Sequence, residues 1–236
     1  MRSLKVVEKI RLFDEILLEW HNTKNKRTFP WREGNDPYRI LVAEIMLQRT
    51  KAEQVAPVFL LFTSRFPKVK TLNDASLSEI ESYFSNLGLL WRAKKVKKLA
   101  KSITEHFEGK IPKERKELIQ LPGVGDYVAD AVLCFAYNQD VAAVDSNVCR
   151  VIGRVFGLEK KKEARRDGVY RTLAQKLLPK GKCKKFNWAI IDLASTICTP
   201  KAPNCKNCPL SNICNYYTVV FPKIQSQQTK RKTRFR

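Results

Sequence analysis

The chain has 236 residues, 44% of them hydrophobic, which is enough for a substantial core in one large domain or two small lobes. Forty-five Lys and Arg against 23 Asp and Glu give a formal net charge of +22, with the basic residues spread along the whole length. This excludes a near-neutral surface and points to a polyanionic partner, nucleic acid first.

The opening MRSLKVVEKIRLFDEILLEW sets Glu, Lys and Asp inside an apolar helical period, so it reads as neither a signal peptide nor a membrane span. No other run is long enough to cross a bilayer. With an odd count of seven cysteines, the expected location is intracellular, with thiols that bind a metal or simply pack.

Apolar residues recur at helical spacing almost everywhere and long alternating runs are missing, so an all-α protein is expected. Helices are predicted over about 3–21, 38–49, 52–66, 77–85, 91–107, 113–120, 126–137, 146–157, 167–178 and 185–198. Ser76 to Glu79 has the pattern of a capping box. Lys94, Lys95, Lys97 and Lys98 read as a solvated helix face, with phosphate contact as the alternative.

In LPGVGDY, Pro122 and Gly123 enforce a turn and Gly125 precedes the next helix. Bare backbone at Gly123, Val124 and Gly125, with the positive end of a helix, suits a phosphate, although such a turn is as often only a turn. Asp126 is out of place beside a phosphate, unless it caps the helix with its side chain turned away. Asp145 follows VAAV and precedes SNVCRV, the position of an ordinary N-cap.

Near the end, Cys198, Cys205, Cys208 and Cys214 have the spacing C-x6-C-x2-C-x5-C, interleaved with Pro200, Pro203 and Pro209. One C-x2-C pair with outer cysteines at unequal distances favours an iron-sulfur cube; zinc and disulfides are the competing readings. Cys134, Cys149 and Cys183 read as packing residues. The final QSQQTKRKTRFR is a basic tail with some nonspecific phosphate affinity.

The ordered set of FPWR, DPYRILVAEIMLQRT, NLGLLWRAKKV, LPGVGDYVADAV, the aspartate and the cysteine loop resembles the helix-hairpin-helix DNA glycosylases of the endonuclease III and MutY superfamily. The resemblance runs from about Phe29 to Cys214. It implies an all-α, two-lobed fold: a helical barrel lobe over 29–138, an iron-sulfur cluster lobe from 1–28 with 139–218, and the tail from 219–236. It also implies a [4Fe-4S] cluster on the four cysteines, double-stranded DNA as partner and a monomeric enzyme.

By the same resemblance Asp145 is the catalytic carboxylate, facing the positive charge that develops on a deoxyribose. Glu44 matches the acid that protonates the base in MutY-type relatives. Gln48 and Arg49 would enter the duplex near the orphaned guanine, and Leu89 or Leu90 would wedge the opposite strand. Lyase-competent relatives carry a Schiff-base lysine where this chain has Tyr127, so a monofunctional hydrolase, or one with only weak lyase activity, is expected. The tyrosine and LVAEIMLQRTKAEQV look like the mismatch-specific enzymes that remove thymine or uracil opposite guanine. The alternative is an adenine glycosylase acting opposite 8-oxoguanine or guanine.

Overall fold

The computed structural model describes residues 5–24, 27–85, 87–88, 90–159 and 161–222, and among them every regular element is helical, as the apolar periodicity predicts. In chain order these are α1 (Val6–Thr23), α2 (Pro37–Met46), α3 (Ala52–Arg65), α4 (Val69–Asp74), α5 (Leu77–Ser85) and α6 (Trp91–Phe107). They continue as α7 (Arg115–Leu118), α8 (Asp126–Phe135), α9 (Ser146–Phe156), α10 (Gly168–Leu177) and α11 (Cys183–Thr196). None of them is long and apolar enough to cross a membrane. Two compact units divide the chain: Thr28–Ala143, and Met1–Arg27 with Val144–Arg236.

The unit Thr28–Ala143 is built around α2. Asp36 caps it, its carboxylate accepting from the amides of Tyr38 at 2.8 Å and Arg39 at 3.2 Å, while Pro37 supplies a preset φ at the first helical position. Ile40, Leu41, Val42, Ala43, Ile45 and Met46 are all buried, so this helix is covered on most sides and is packed by α3, α6 and α8. Helix α6 is the opposite case: Ala93, Val96, Leu99, Ala100 and Ile103 face inward at helical spacing, and Lys94, Lys95 and Lys98 are exposed. Lys97 departs from the solvated ladder. Its ammonium donates to the carbonyls of Asn73 and, at 2.7 Å, Ala75, holding the end of α4. Helix α4 has only six residues, too few to show a period in the sequence. At the start of α5 the Ser76 hydroxyl accepts from the Glu79 amide at 3.1 Å, but the Glu79 carboxylate pairs with Arg65 at 2.6 Å.

In the other unit α1 packs on α10 and α11, and α9 packs on the same two helices. Phe13 lies 5.9 Å from Phe156 and 6.2 Å from Phe186, ring to ring. Helix α9 ends at Gly157 with φ 71°, where an added Cβ would sit 2.5 Å from the Asn215 side-chain amide, so only glycine suits the position. Cys134, Cys149 and Cys183 are buried within their helices, the packing role expected of them. Residues 216–220 form a single π-helical turn, and residues 223–236 of the basic tail lie outside the described residues.

Candidate functional site

Two loops of the unit Thr28–Ala143 meet at the expected DNA-facing residues. Helix α2 ends at Met46, and the chain turns through Leu47, Gln48 and Arg49, the last in the left-handed region at φ 61°. The Gln48 side-chain amide donates to the Gly123 carbonyl at 3.3 Å, tying this turn to the glycine hairpin between α7 and α8. Gly123 itself has φ 87°, a backbone state that favours glycine. Within the hairpin the Val124 amide is spent on the Leu121 carbonyl at 3.1 Å, and the Val124 side chain is buried. The amides of Gly123 and Gly125 meet no backbone acceptor among the described residues, so within the hairpin they are the donors left to face a ligand.

Asp126 is explained by a residue that the sequence reading passed over. Arg115 reaches both Asp126 and Asp130, the latter at 2.7 Å, and Asp130 is wholly buried. Its guanidinium is held above its ordinary range by the Asp130 hydrogen bond first, despite the opposing effect of burial. The ion pair fastens α7 to α8 and offsets the acid at the hairpin.

Glu44 on α2 is buried, with only 5% exposure, and is therefore not a solvated helix carboxylate. Tyr127, the second residue of α8, is half-buried, and α8 packs on α2. Leu90 is 51% exposed and Trp91 40% exposed at the head of α6. The Lys95 ammonium sits 4.6 Å above the Trp91 ring, and the Lys95 stem runs beside Gly123. Trp91 and Lys95 were legible as an aromatic next to a basic run, the pairing that nucleic acid surfaces use. Leu89 lies outside the described residues.

In the other unit Asp145 is the N-cap of α9. Oδ1 accepts from the amides of Asn147 and Val148, both at 2.8 Å, and Oδ2 accepts from the Asn147 side-chain amide at 2.7 Å. Three donors thus fix a half-buried carboxylate in one orientation. Asn147 in turn accepts from Arg150 Nη1 at 2.9 Å.

The four late cysteines line one small pocket, walled also by Val151, Val155, Leu193 and Ile197. Short 3-10 turns at Cys205–Asn207 and Ser211–Ile213 fold the loop back on itself. Burial first, then the neighbouring thiols, pushes Cys208 up to about 12, and burial raises Cys205 and Cys214 as well. A strong local cation would be needed to hold such thiols ionised near neutral pH. Among the described residues no three His, Cys, Asp or Glu side chains come together as they would around a single metal ion; the thiols are spread around the pocket wall. Helix α9 grips the loop's first turn. Arg150 Nε donates to the Cys198 carbonyl at 2.8 Å, and Arg154 Nη1 to the Thr199 carbonyl at 2.8 Å and the Cys198 sulfur at 3.3 Å. Two arginines four residues apart on a helix with buried Val151 and Val155 were the available sequence signal for this grip.

Residues 42–178, more than half of the chain, match the family model of the HhH-GPD superfamily base excision DNA repair protein. The chain is 36% identical over 211 residues to the thymine/uracil-DNA glycosylase of Methanothermobacter thermautotrophicus, covering 89% of this chain and 95% of that protein. Among solved structures, a thermostable thymine-DNA glycosylase is similar with a TM-score of 0.82 and 35% identity, over 90% of this chain and 98% of that one. The adenine DNA glycosylase of Buchnera aphidicola subsp. Baizongia pistaciae is 34% identical over 87% of this chain, but over only 58% of its own length.

Proposed function

Because the chain belongs to the HhH-GPD superfamily of base excision DNA repair proteins, we propose that it removes thymine or uracil mispaired with guanine by hydrolysing the N-glycosidic bond. The observation that carries this reading is the 36% identity to thymine/uracil-DNA glycosylase over 95% of that protein. Tyr127 supports it, since a phenol at that position forms no Schiff base and leaves hydrolysis as the outcome.

In this reading the target nucleotide is flipped from the duplex, at a lower cost for a weakly stacked mispair than for a matched one. As the bond from C1′ to the base breaks, its electron pair leaves with the pyrimidine and positive charge develops on the sugar. Asp145, its orientation set by Asn147 and Val148, stabilises that charge and directs the attacking water. The water oxygen forms the new bond to C1′, and the proton it loses balances the charge of the departing base. Glu44 positions the base or shares that proton transfer, and Tyr127 packs against the nucleotide and excludes larger bases. Gln48 and Arg49 enter the duplex near the orphaned guanine and Leu89 or Leu90 wedges the opposite strand, while the hairpin Gly123, Val124 and Gly125 faces the backbone phosphate.

Cys198, Cys205, Cys208 and Cys214 would hold a [4Fe-4S] cluster, a fit supported by four thiols around one pocket and by their uneven spacing. When bound, the cluster supplies four iron-thiolate bonds that cross-link the loop. The partner is double-stranded DNA containing a mispair, and one copy of the chain carries every assigned residue.

The test is to incubate duplexes containing G·T, G·U or A·8-oxoguanine with the protein and cleave the products with alkali. Strand scission at thymine and uracil is expected. Scission only at adenine reverses the assignment in favour of an adenine glycosylase, and binding without any base release leaves a noncatalytic DNA-binding protein.

A further inference from the structure

Arg92, the second residue of α6, heads the large side chains that are wholly withdrawn from solvent. Its Nη1 group donates to the Met46 carbonyl at 2.8 Å and to the Thr50 hydroxyl at 3.0 Å. Those acceptors stand on either side of the turn that carries Gln48 and Arg49. Met46 is the last residue of α2, so a cation there also faces the negative end of a helix.

The arrangement is poor for stability. Nε and Nη2 of Arg92 meet no acceptor among the described residues. Burial, and then the Arg49 charge, pull the guanidinium below its ordinary range. Apolar residues of similar volume usually serve a fold as well as, or better than, a buried ion with incomplete partners. A guanidinium nevertheless does one thing that such a residue cannot, which is to hold both ends of the turn at once. Arg49, a residue with a Cβ, lies in the left-handed region at φ 61°, and such states persist where surrounding contacts over-determine them.

We propose that Arg92 is a positioning residue for mispair recognition: by bracketing the turn at Met46 and Thr50 it sets Gln48 and Arg49 in the orientation in which they enter the duplex. The inference rests on the DNA roles proposed above for those two residues. It acts on discrimination rather than on overall DNA affinity, because the affinity common to all duplexes comes from phosphate contacts made elsewhere.

The experiment compares Arg92→Met and Arg92→Lys, each combined with Asp145→Asn to prevent turnover, with Asp145→Asn alone. Thermal unfolding and dissociation constants for G·T and fully matched duplexes of equal length are measured. For Arg92→Met the preference for G·T over matched DNA is expected to fall at least tenfold. Matched-duplex affinity should stay within about twofold and the unfolding midpoint should not drop. Arg92→Lys, which keeps one donor group for the Met46 carbonyl, should recover part of the preference. An unchanged preference in folded Arg92→Met overturns the proposal, as does a parallel loss of both affinities together with a lower midpoint. If Arg92→Met does not fold, the lysine variant decides: an intermediate preference supports positioning, and the full preference overturns it. A parent protein that binds both duplexes equally and, with Asp145 restored, releases neither thymine nor uracil fails the functional reading itself.

Discussion

Arg154 places its Nη1 group 3.3 Å from the sulfur of Cys198. The same guanidinium donates to the carbonyls of Thr199 at 2.8 Å and Pro200 at 3.0 Å, and stacks 4.8 Å from the Tyr216 ring centre. One guanidinium of α9 therefore contacts both the Cys198 thiol and the loop backbone that follows it. If the proposed cluster is bound, replacing Arg154 with Leu should reduce its retention under chelator challenge by about tenfold or more, as loss of supporting partners generally does at metal sites. Iron content and visible absorbance per protein chain measure this, and wild-type retention in the variant would contradict it. Arg154→Lys should rescue little, because an ammonium cannot span the sulfur and two carbonyls as a planar fork can.

Asp145 has two separable roles, the cap of α9 and the proposed anion beside the sugar. Asparagine is as good an N-cap as aspartate but carries no charge. Asp145→Asn should therefore leave the unfolding midpoint within a few degrees of wild type while lowering single-turnover base release by about 10³-fold. Retained release in the folded variant would remove Asp145 from the chemistry.

Arg115 holds one exposed and one buried acid, and the two partners should differ sharply in importance. Asp126→Ala removes a pair exposed on both sides and should cost below about 1 kcal/mol. Arg115→Ala withdraws the cation from wholly buried Asp130 and should cost about 3 kcal/mol. Urea unfolding of the two variants distinguishes them; equal losses would show that the buried carboxylate does not depend on Arg115.

The alkaline limb of stability follows from buried neutral groups. Cys149 is raised from 9.0 to about 12, by burial first and then by Asp145. Burial is also the largest cause of upward shifts at Tyr38, Tyr137 and Tyr170. For each group the unfolded chain loses its proton at lower pH than the folded one, so folding is favoured fully below the unfolded value and less so as pH rises. For Cys149 the loss runs from about 9 towards about 12. Unfolding midpoints of wild type and Cys149→Ala, taken from about pH 8 to about pH 11, should fall less steeply in the variant. Identical slopes would show that Cys149 is not part of the effect.

Much of the fold was legible because its signals act over a few residues. Asp36 before Pro37 and Asp145 before Ser146 mark helix starts through hydrogen bonds reaching two or three residues ahead. Gly123 marks a turn through its own φ, and the cysteine spacing sets which thiols lie close along the loop. Helix α4 was not legible, being shorter than two helical turns.

Charge and periodicity by themselves determined an all-helical, strongly basic chain, with its capped helices and its cysteine loop. Only the tertiary structure decided which charged side chains are withdrawn from water. Lys97, expected on a solvated helix face, instead holds the end of α4, and the placing of Arg92 in the core, Arg115 between two acids and Arg154 on Cys198 follows from partners distant in sequence. The physical reason is that the cost of burying a charge is met by acceptors and opposite charges elsewhere in the fold, in the case of Arg154 and Thr199 45 positions away along the chain.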